Sequence, residues 1–535
     1  MDIFWSIVWA FVVRIGQAAI LASPTIVCGF LVAGILRRML SPQATCNLFG
    51  GGGWSGLPRA WAIGTLLPVC SFGVIPVARE LRRAGVPSGT VLTFALTAPL
   101  LNPLSILYGL TLSQPFVIFS FILLSMVVAV IAGWAWNIAL AKTGDTLEAV
   151  TTAMPPEGLK RLAAVAVTAG KESIGPTIIY LLIGLAGVAF LSAILPGGYL
   201  QHTMLHGDPK SPPLMALVSL PAYAPPMDVM KTLGIMFDHG NSVGAAYVLL
   251  VLGAGMNVGL LAWMVHHFGL VRPLVWLSVV VVLAIGIGYA VEYPLNMSLR
   301  PATHSHAFDH WTTPFDYRLG WDAINRVGPM VTEVLGPLEL PSLCGWGLLV
   351  LIGLGAMLTQ RFFDLEGFLV ASPPQSNKKV PVWNRPIPPK VLGIIALVGL
   401  ALAAVLGAYI YYPDPGTVFA EMSRAKASSL QPVISLDPTN DPKNSRSELE
   451  KKELADLGKQ ELRRFGELIK KLQVGVYIRN GSLTQEQRDT SEELLYVLEE
   501  IYDALDHGDY GTANEVRRET SIVYDQCREA FLGGS

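Results

Sequence analysis

Charge is what this sequence has least of. Only 15% of its 535 residues are Asp, Glu, Lys or Arg, against roughly 25% in soluble domains. That argues against an ordinary soluble enzyme. The net charge of −2 supplies no basic surface, so nucleic acid is not an expected partner. Cysteine is sparse as well. Cys28, Cys46, Cys70, Cys344 and Cys527 lie far apart, with no CxxC pair and no CxxCH. A disulfide framework and a c-type haem are therefore not expected. The chain also lacks a Walker motif, a Gly-x-Ser-x-Gly and an HExxH. Neither an enzymatic role nor ATP-driven transport by this chain alone is expected, and no cofactor is called for. The opening MDIFWSIVWAF has no basic n-region, and no small-residue cleavage site follows it. It reads as a retained membrane helix, not a removed signal peptide.

Apolar residues are abundant, at 52%, and the charges are unevenly spread. Of the 78 charged side chains, 39 lie after Tyr412. The expected fold is therefore all-α: a polytopic membrane domain followed by a polar, acidic helical tail. Apolar runs of about 20 residues fall near Phe4–Ile35, Gly89–Leu110, Pro115–Leu140, Gly175–Leu195, Val243–Val265, Pro273–Tyr289, Leu343–Leu358 and Val391–Tyr411. Two more are interrupted: Ala60–Gly85 by Pro68 and Pro76, and Met215–Gly240 by Pro221, Pro225 and Pro226. Proline removes a backbone donor. Broken backbone at membrane depth is tolerated only where it lines protein or water.

Basic residues mark the cytoplasmic side of a membrane protein. Arg37 and Arg38 follow the first span, Arg82 and Arg83 follow the first broken stretch, and Lys142, Lys160, Arg161 and Lys171 precede the fourth span. All three clusters share one side if Ala60–Gly85 enters and returns as a hairpin. This gives about eight spans plus two re-entrant helices, with both termini outside.

The membrane part repeats itself. Ser23-Pro24-Thr25-Ile26 recurs as Gly175-Pro176-Thr177-Ile178, Ala33-Gly34 as Ala186-Gly187, and Leu67-Pro68 as Leu220-Pro221. Gly85 and Gly89 recur as Gly240 and Gly244, and Asn102 recurs as Asn257. The offset grows from 152 to 155 along the chain, as small insertions would make it. Each unit is span, broken hairpin, span, span, so the second copy is expected to be inverted. Inverted repeats with broken helices place transporter substrate sites near the midplane. The expected organisation is 1–145 first repeat, 146–172 amphipathic linker, 173–292 second repeat and 293–342 polar loop. Two further membrane helices (343–412), a linker (413–445) and a polar helical domain (446–535) complete it.

The densest motif runs Leu67-Pro68-Val69-Cys70-Ser71-Phe72-Gly73-Val74-Ile75-Pro76-Val77-Ala78. It is followed by Gly85-Val86-Pro87-Ser88-Gly89 and Pro99-Leu100-Leu101-Asn102-Pro103. Here the chain resembles a family of bacterial predicted permeases that includes the trivalent organoarsenical efflux permeases. Its signature is Pro-x-Cys-Ser-Cys-Gly-x-x-Pro-x-Ala, and the resemblance covers roughly residues 20–290. It implies a permease of the bacterial inner membrane, working in efflux on a small solute, with a thiophilic metalloid or metal-related species as candidate. This chain departs from the signature at Phe72, which stands where the family has its second cysteine. A soft cation or As(III) species prefers several thiolates, so a lone Cys70 supports a permease better than an arsenical substrate. Cys28 supplies a second sulfur only if the first span packs beside the hairpin.

The candidate substrate-binding residues are Cys70, Ser71, Asn102, Asn257 and Tyr223. An amide in hydrocarbon is costly unless hydrogen-bonded. Asn102 and Asn257 therefore either share a central site or satisfy backbone freed by nearby Pro and Gly. Cys70 is either a ligand or a small buried wall. Asp228 and Lys231, one helical turn apart, are either functional or a local ion pair. Gly50–Gly53 lacks the GK[ST] of a phosphate cradle. His304, His306, Asp309 and His310 have metal-ligand chemistry but no visible scaffold, and His202 and His206 are weaker candidates; no metal site is assigned.

In the tail, Ser447-x-x-Glu450, Thr484-x-x-Gln487 and Thr512-x-x-Glu515 read as capping boxes of three helices after a linker. Leu494, Leu495, Leu498, Ile501, Tyr502 and Leu505 follow helical spacing. The leading function is a permease moving a small molecule or ion by alternating access through membrane lipid. The alternatives are a channel-like pore, or a membrane-anchored sensor or scaffold that meets a protein partner through its tail.

Overall fold

The apolar runs fold as helices, because a helix alone satisfies every backbone group within one segment in lipid. The computed structural model describes residues 2–50, 54–112, 115–142, 159–221, 224–238, 240–296, 306–315, 320–336, 338–359, 414–437 and 447–533, with scattered positions from 391 to 412. Among the described residues there is no strand. Among the described residues, five helices are long and apolar enough to cross a bilayer: Ile3–Met39, Pro115–Leu140, Thr177–Ile194, Val271–Val291 and Glu339–Thr359. The protein is an all-α, multi-pass membrane protein. Two compact units divide it: Met1–Ile106 with Pro115–Val405, and Leu406–Ser535 with Leu107–Gln114.

In the membrane unit α1 (Asp2–Met39) is a single 38-residue helix that absorbs Pro24. A surface turn, α2 (Pro42–Leu48), follows. The first broken stretch is α3 (Gly56–Leu66), an irregular segment, and α4 (Val74–Arg83). Next come α5 (Ser88–Thr97), α6 (Pro103–Leu112) and α7 (Pro115–Ala135), the last ending in a π-turn over Trp136–Leu140. The second half begins with α8 (Leu159–Ile174) and α9 (Thr177–Ile194). Its broken stretch is α10 (Ser211–Ser219) and α11 (Pro226–Asp238). It continues with α12 (Val243–Val248), a π-turn over Leu249–Ala254, α13 (Val258–Phe268) and α14 (Val271–Val291).

Two expected spans need correction. Gly89–Leu110 and Val243–Val265 are not continuous helices. The first breaks between α5 and α6, and the second bends by 57° between the π-turn and α13. Hydropathy does not sense a backbone break flanked by apolar side chains. The eighth expected span, Val391–Tyr411, lies mostly outside the described residues.

Glycines set how closely the helices approach, as small residues do in lipid. A Cβ on Gly89 would sit 2.3 Å from the Gly133 carbonyl oxygen, and one on Gly244 would sit 2.3 Å from that of Gly288. Both contacts recur at an offset of 155 residues. The expected polar loop 293–342 is more ordered than its composition suggests. It contains α15 (Ile324–Glu333), whose Val327, Met330 and Val331 pack with Ala10 and Val13 of α1. Trp321 meets Trp5 edge-on at 4.3 Å. The last described membrane helix is α16 (Glu339–Thr359), where Gly353 packs against Gly170 of α8.

The C-terminal unit is a helical bundle with its own core. Residues 415–436, expected as linker, instead form α17 (Pro415–Leu436). Asp414 caps it by accepting from the Thr417 N–H at 3.0 Å. Val418, Phe419, Met422, Val433 and Leu436 bury its inner face. α18 (Glu448–Asn480) and α19 (Gln485–Asp506) start at the expected capping boxes on Ser447 and Thr484. α20 (Tyr510–Leu532) does not start at Thr512: Asp509 is its cap, accepting from the Thr512 N–H. Aspartate is at least as good a cap as threonine. Burial pushes the Cys527 thiol in this core up to about 12. It is a packing residue, not a nucleophile.

Candidate functional site

The first break is built by its sequence. Pro68 lacks an N–H, so α3 ends at Leu66 and the chain runs irregularly to Gly73. Cys70 then restarts the helix: its carbonyl accepts from Val74 N at 2.8 Å, and its Sγ accepts from Gly73 N at 3.4 Å. The break packs tightly on α1. A Cβ on Gly29 would fall 2.2 Å from Gly73 O, and one on Gly73 would fall 2.5 Å from Thr25 O. Cys70 and Ser71 are completely buried. Cys70 joins Ile26 and Phe30 of α1 in one apolar cluster with Phe72, Leu181 and Leu185. Cys28 also lies on α1, the helix on which the break packs.

Both candidate asparagines are helix caps. Asn102 Oδ1 accepts from Ser105 N at 2.8 Å at the start of α6. Asn257 Oδ1 accepts from Leu260 N at 2.7 Å at the start of α13. The amides thus satisfy backbone freed by the breaks, one of the two roles the sequence left open. Asn257 does more: its Nδ2 donates to Ser71 Oγ at 2.7 Å, joining positions 186 residues apart. The two half-helix breaks also approach, since a Cβ on Gly255 would lie 3.0 Å from the side chains of Leu96 and Leu100. Four of the five candidates are therefore described: Ser71 and Asn257 in direct contact, Cys70 next to Ser71 in the chain, and Asn102 bonded to Ser105. Tyr223 lies outside the described residues, as does His304. Asp228 and Lys231 sit half-buried on α11. Among the described residues no three His, Cys, Asp or Glu side chains converge as a metal site.

The Asn257–Ser71 bond sets an expected stability effect. Asn257→Ala removes a cap worth about 1 kcal/mol and strands a buried hydroxyl at a cost of about 1–3 kcal/mol. Asn257→Ser keeps a capping oxygen but falls short of Ser71, so only the second cost remains. Thermal unfolding in detergent should rank wild type above Asn257→Ser above Asn257→Ala. Identical midpoints would count against the bond.

Two carboxylates that the sequence reading did not single out organise the ends of this unit. Glu172, at the end of α8, is buried. It takes Arg79 at 2.8 Å, Arg37 at 3.5 Å and Arg83 at 3.8 Å. Arg38 donates to Thr168 on the same helix at 2.8 Å. Arginines of α1 and α4 thus gather at the end of α8. Glu292, just past α14, lies at the N-terminus of α12. Its Oε2 accepts from Ser242 Oγ and Gly244 N, both at 2.7 Å. Its Oε1 accepts from Gly207 N at 3.0 Å and lies 2.9 Å from His206 Nδ1. In the first half Asn137 takes the corresponding place, its Oδ1 accepting from Gly89 N at 3.0 Å. The signal that would have found this pair was the offset of 155, which links 137 to 292 as it links 89 to 244.

Comparison with known proteins rests on this same region. Residues 10–293 match the ArsP_1 family, described as predicted permease. The chain belongs to this family. The family's region begins in α1, ends just past α14 and takes in both breaks and both asparagine caps. The chain is also similar to the UPF0718 protein YcgR of Bacillus subtilis (strain 168), at 31% identity over 83 residues. That stretch is 16% of this chain and 28% of the relative's length. No solved structure matches the chain.

Proposed function

We propose that this permease carries a small solute, in efflux, by alternating access through a centre made of Cys70, Ser71, Asn102, Asn257 and Tyr223. The observation that carries this reading is the Asn257–Ser71 hydrogen bond. It ties the cap of one broken helix to the turn of another in the opposite half of the family region. The paired contacts of Gly89 with Gly133 and Asn137, and of Gly244 with Gly288 and Glu292, support two repeats. The basic end holds the first set, with Arg82 and Arg83 close by in sequence, which supports an inverted relation. Half-helix ends present unpaired donors and acceptors with partial charges, so they bind a polar solute without a full side-chain charge. Complete burial of Cys70 and Ser71 favours a carrier over a continuous pore. Cys28 lies on the helix against which the break packs, which supports a thiophilic solute, because two sulfurs hold a soft centre better than one. A bacterial inner membrane and a non-enzymatic role complete the reading.

Flux in proteoliposomes tests it. A carrier should saturate and show trans-stimulation by unlabelled solute; linear, unstimulated flux would mean a pore, and no flux with any solute would favour a scaffold. With a trivalent organoarsenical as probe, Cys70→Ser is expected to reduce flux at least about tenfold, equivalent to about 1.4 kcal/mol of lost interaction. Unchanged flux in Cys70→Ser would remove the thiophilic part and leave the carrier standing.

A further inference from the structure

A second site lies away from the buried centre, at the arginine-rich end. A cavity of about 240 Å³ opens between the end of α1, the short α2 and the end of α4. Its walls are Leu36, Arg37, Leu40, Pro42, Thr45, Glu80, Arg83 and Ala84. At about 30 Å³ per molecule of liquid water it holds roughly eight waters. Ligand pockets for drug-sized molecules start near 300 Å³, so this one suits a small group.

Three observations point to the sign of that group. The cluster around the cavity has three guanidinium groups, Arg37, Arg79 and Arg83, against two carboxylates, Glu80 and Glu172. One positive charge is left over in a half-buried place, where an uncompensated charge is costly. The sharing is also unequal. Glu80 is engaged by Arg83 at 2.6 Å and Glu172 by Arg79 at 2.8 Å, while Arg37 reaches Glu172 only at 3.5 Å. Arg37 therefore keeps most of its five donors for a further acceptor. Finally, Thr45 is buried and lines the cavity, yet its hydroxyl makes no hydrogen bond among the described residues. An unsatisfied buried hydroxyl is destabilising unless it has a partner to hold.

We propose that this cavity binds a phosphate-type oxyanion, held by Arg37 and Arg83 and by the Thr45 hydroxyl. A guanidinium presents paired N–H donors that match phosphate oxygens. The Thr45 hydroxyl, shielded from solvent in this structure, turns about its Cα–Cβ bond to add a third, uncharged donor. Glu80 stays bound to Arg83 and shapes the wall. Positive charge marks the cytoplasmic side, so the anion is either free inorganic phosphate or the phosphate of an anionic lipid headgroup.

Thermal unfolding of the full-length protein separates these outcomes. Inorganic phosphate is titrated against chloride at matched ionic strength in detergent. In parallel, nanodiscs of phosphatidylcholine are compared with nanodiscs containing phosphatidylglycerol. A rise with phosphate identifies the free anion, and a rise only with phosphatidylglycerol identifies the headgroup. Arg37→Gln and Thr45→Val should each weaken the response at least about tenfold, as the loss of a hydrogen bond to a charged group does. Thr45→Val keeps the side-chain shape and removes only the orphan hydroxyl. It should be as stable as wild type or more so without the anion, so it remains informative if Arg37→Gln fails to fold. Absence of any rise with either probe would overturn the proposal. So would an equal rise in wild type and Thr45→Val, which would mean an adventitious ion only.

Discussion

Glu172→Ala is expected to destabilise the membrane unit by about 3 kcal/mol, the lower end of the range of about 3–5 for removing one partner of a buried ion pair. The carboxylate is 6% exposed, whereas its arginines are 24–30% exposed. Water will therefore solvate part of what is released, which places the loss at the low end. The effect exceeds that of any single arginine because Glu172 joins four helices. It takes arginines from α1 and α4, belongs to α8, and accepts from Thr177 Oγ1 of α9 at 3.2 Å. Arg79→Ala removes one arm and leaves two, so it should cost markedly less. Denaturation monitored by fluorescence-detected size exclusion reads both. A loss below about 1 kcal/mol for Glu172→Ala would mean that these contacts behave as ordinary surface pairs.

Much of this fold is legible in the sequence because lipid imposes simple rules. Apolar length gives α1, α7, α9, α14 and α16, and prolines mark the α3–α4 and α10–α11 breaks. The third and fourth breaks were hidden. Asn102 and Asn257 sit inside runs that hydropathy reads as continuous, and only Pro103 and Gly255 beside them hint at a turn. Both residues nevertheless stand out in the sequence, because an amide at membrane depth has to be accounted for. The contact between Asn257 and Ser71 was not readable, since nothing in the chain states which turn meets which cap. Glu172 is inconspicuous in the sequence for a related reason. Its arginine partners lie 89 to 135 positions away, so neighbouring sequence shows only a carboxylate beside Lys171. In the tail, a Pro/Ser/Asp-rich composition masked α17. Asp414-Pro415 was the available start signal, with a cap residue followed by proline in the first turn. Val418, Phe419, Met422 and Ala425 behind it gave the helical spacing.

Gly244→Ala and Gly89→Ala are expected to be damaging, and the comparison between them tests the repeat. In Gly244→Ala the new methyl would lie 2.3 Å from Gly288 O and 2.9 Å from Glu292 Oε2. In Gly89→Ala it would lie 2.3 Å from both Gly133 O and Asn137 Oδ1. Backbone cannot yield as the tip of a side chain can, so the helix pairs α12–α14 and α5–α7 must separate. Overpacking of this kind costs about 1–3 kcal/mol and occasionally more. Gly244→Ala should sit at the upper end, because it also displaces a carboxylate that takes donors from Ser242, Gly244 and Gly207. Asn137 is a neutral amide, and moving it exposes no unpaired charge. Gly286 supplies the control. It lies on α14, two positions from Gly288, and a Cβ there meets nothing within 4 Å. Gly286→Ala should be neutral or stabilising by up to about 1 kcal/mol through helix propensity. Unfolding midpoints in detergent should therefore fall for both Gly89→Ala and Gly244→Ala and hold or rise for Gly286→Ala. If Gly89→Ala behaved like Gly286→Ala while Gly244→Ala collapsed, the two halves would not be built alike, and the repeat reading would lose its strongest structural support.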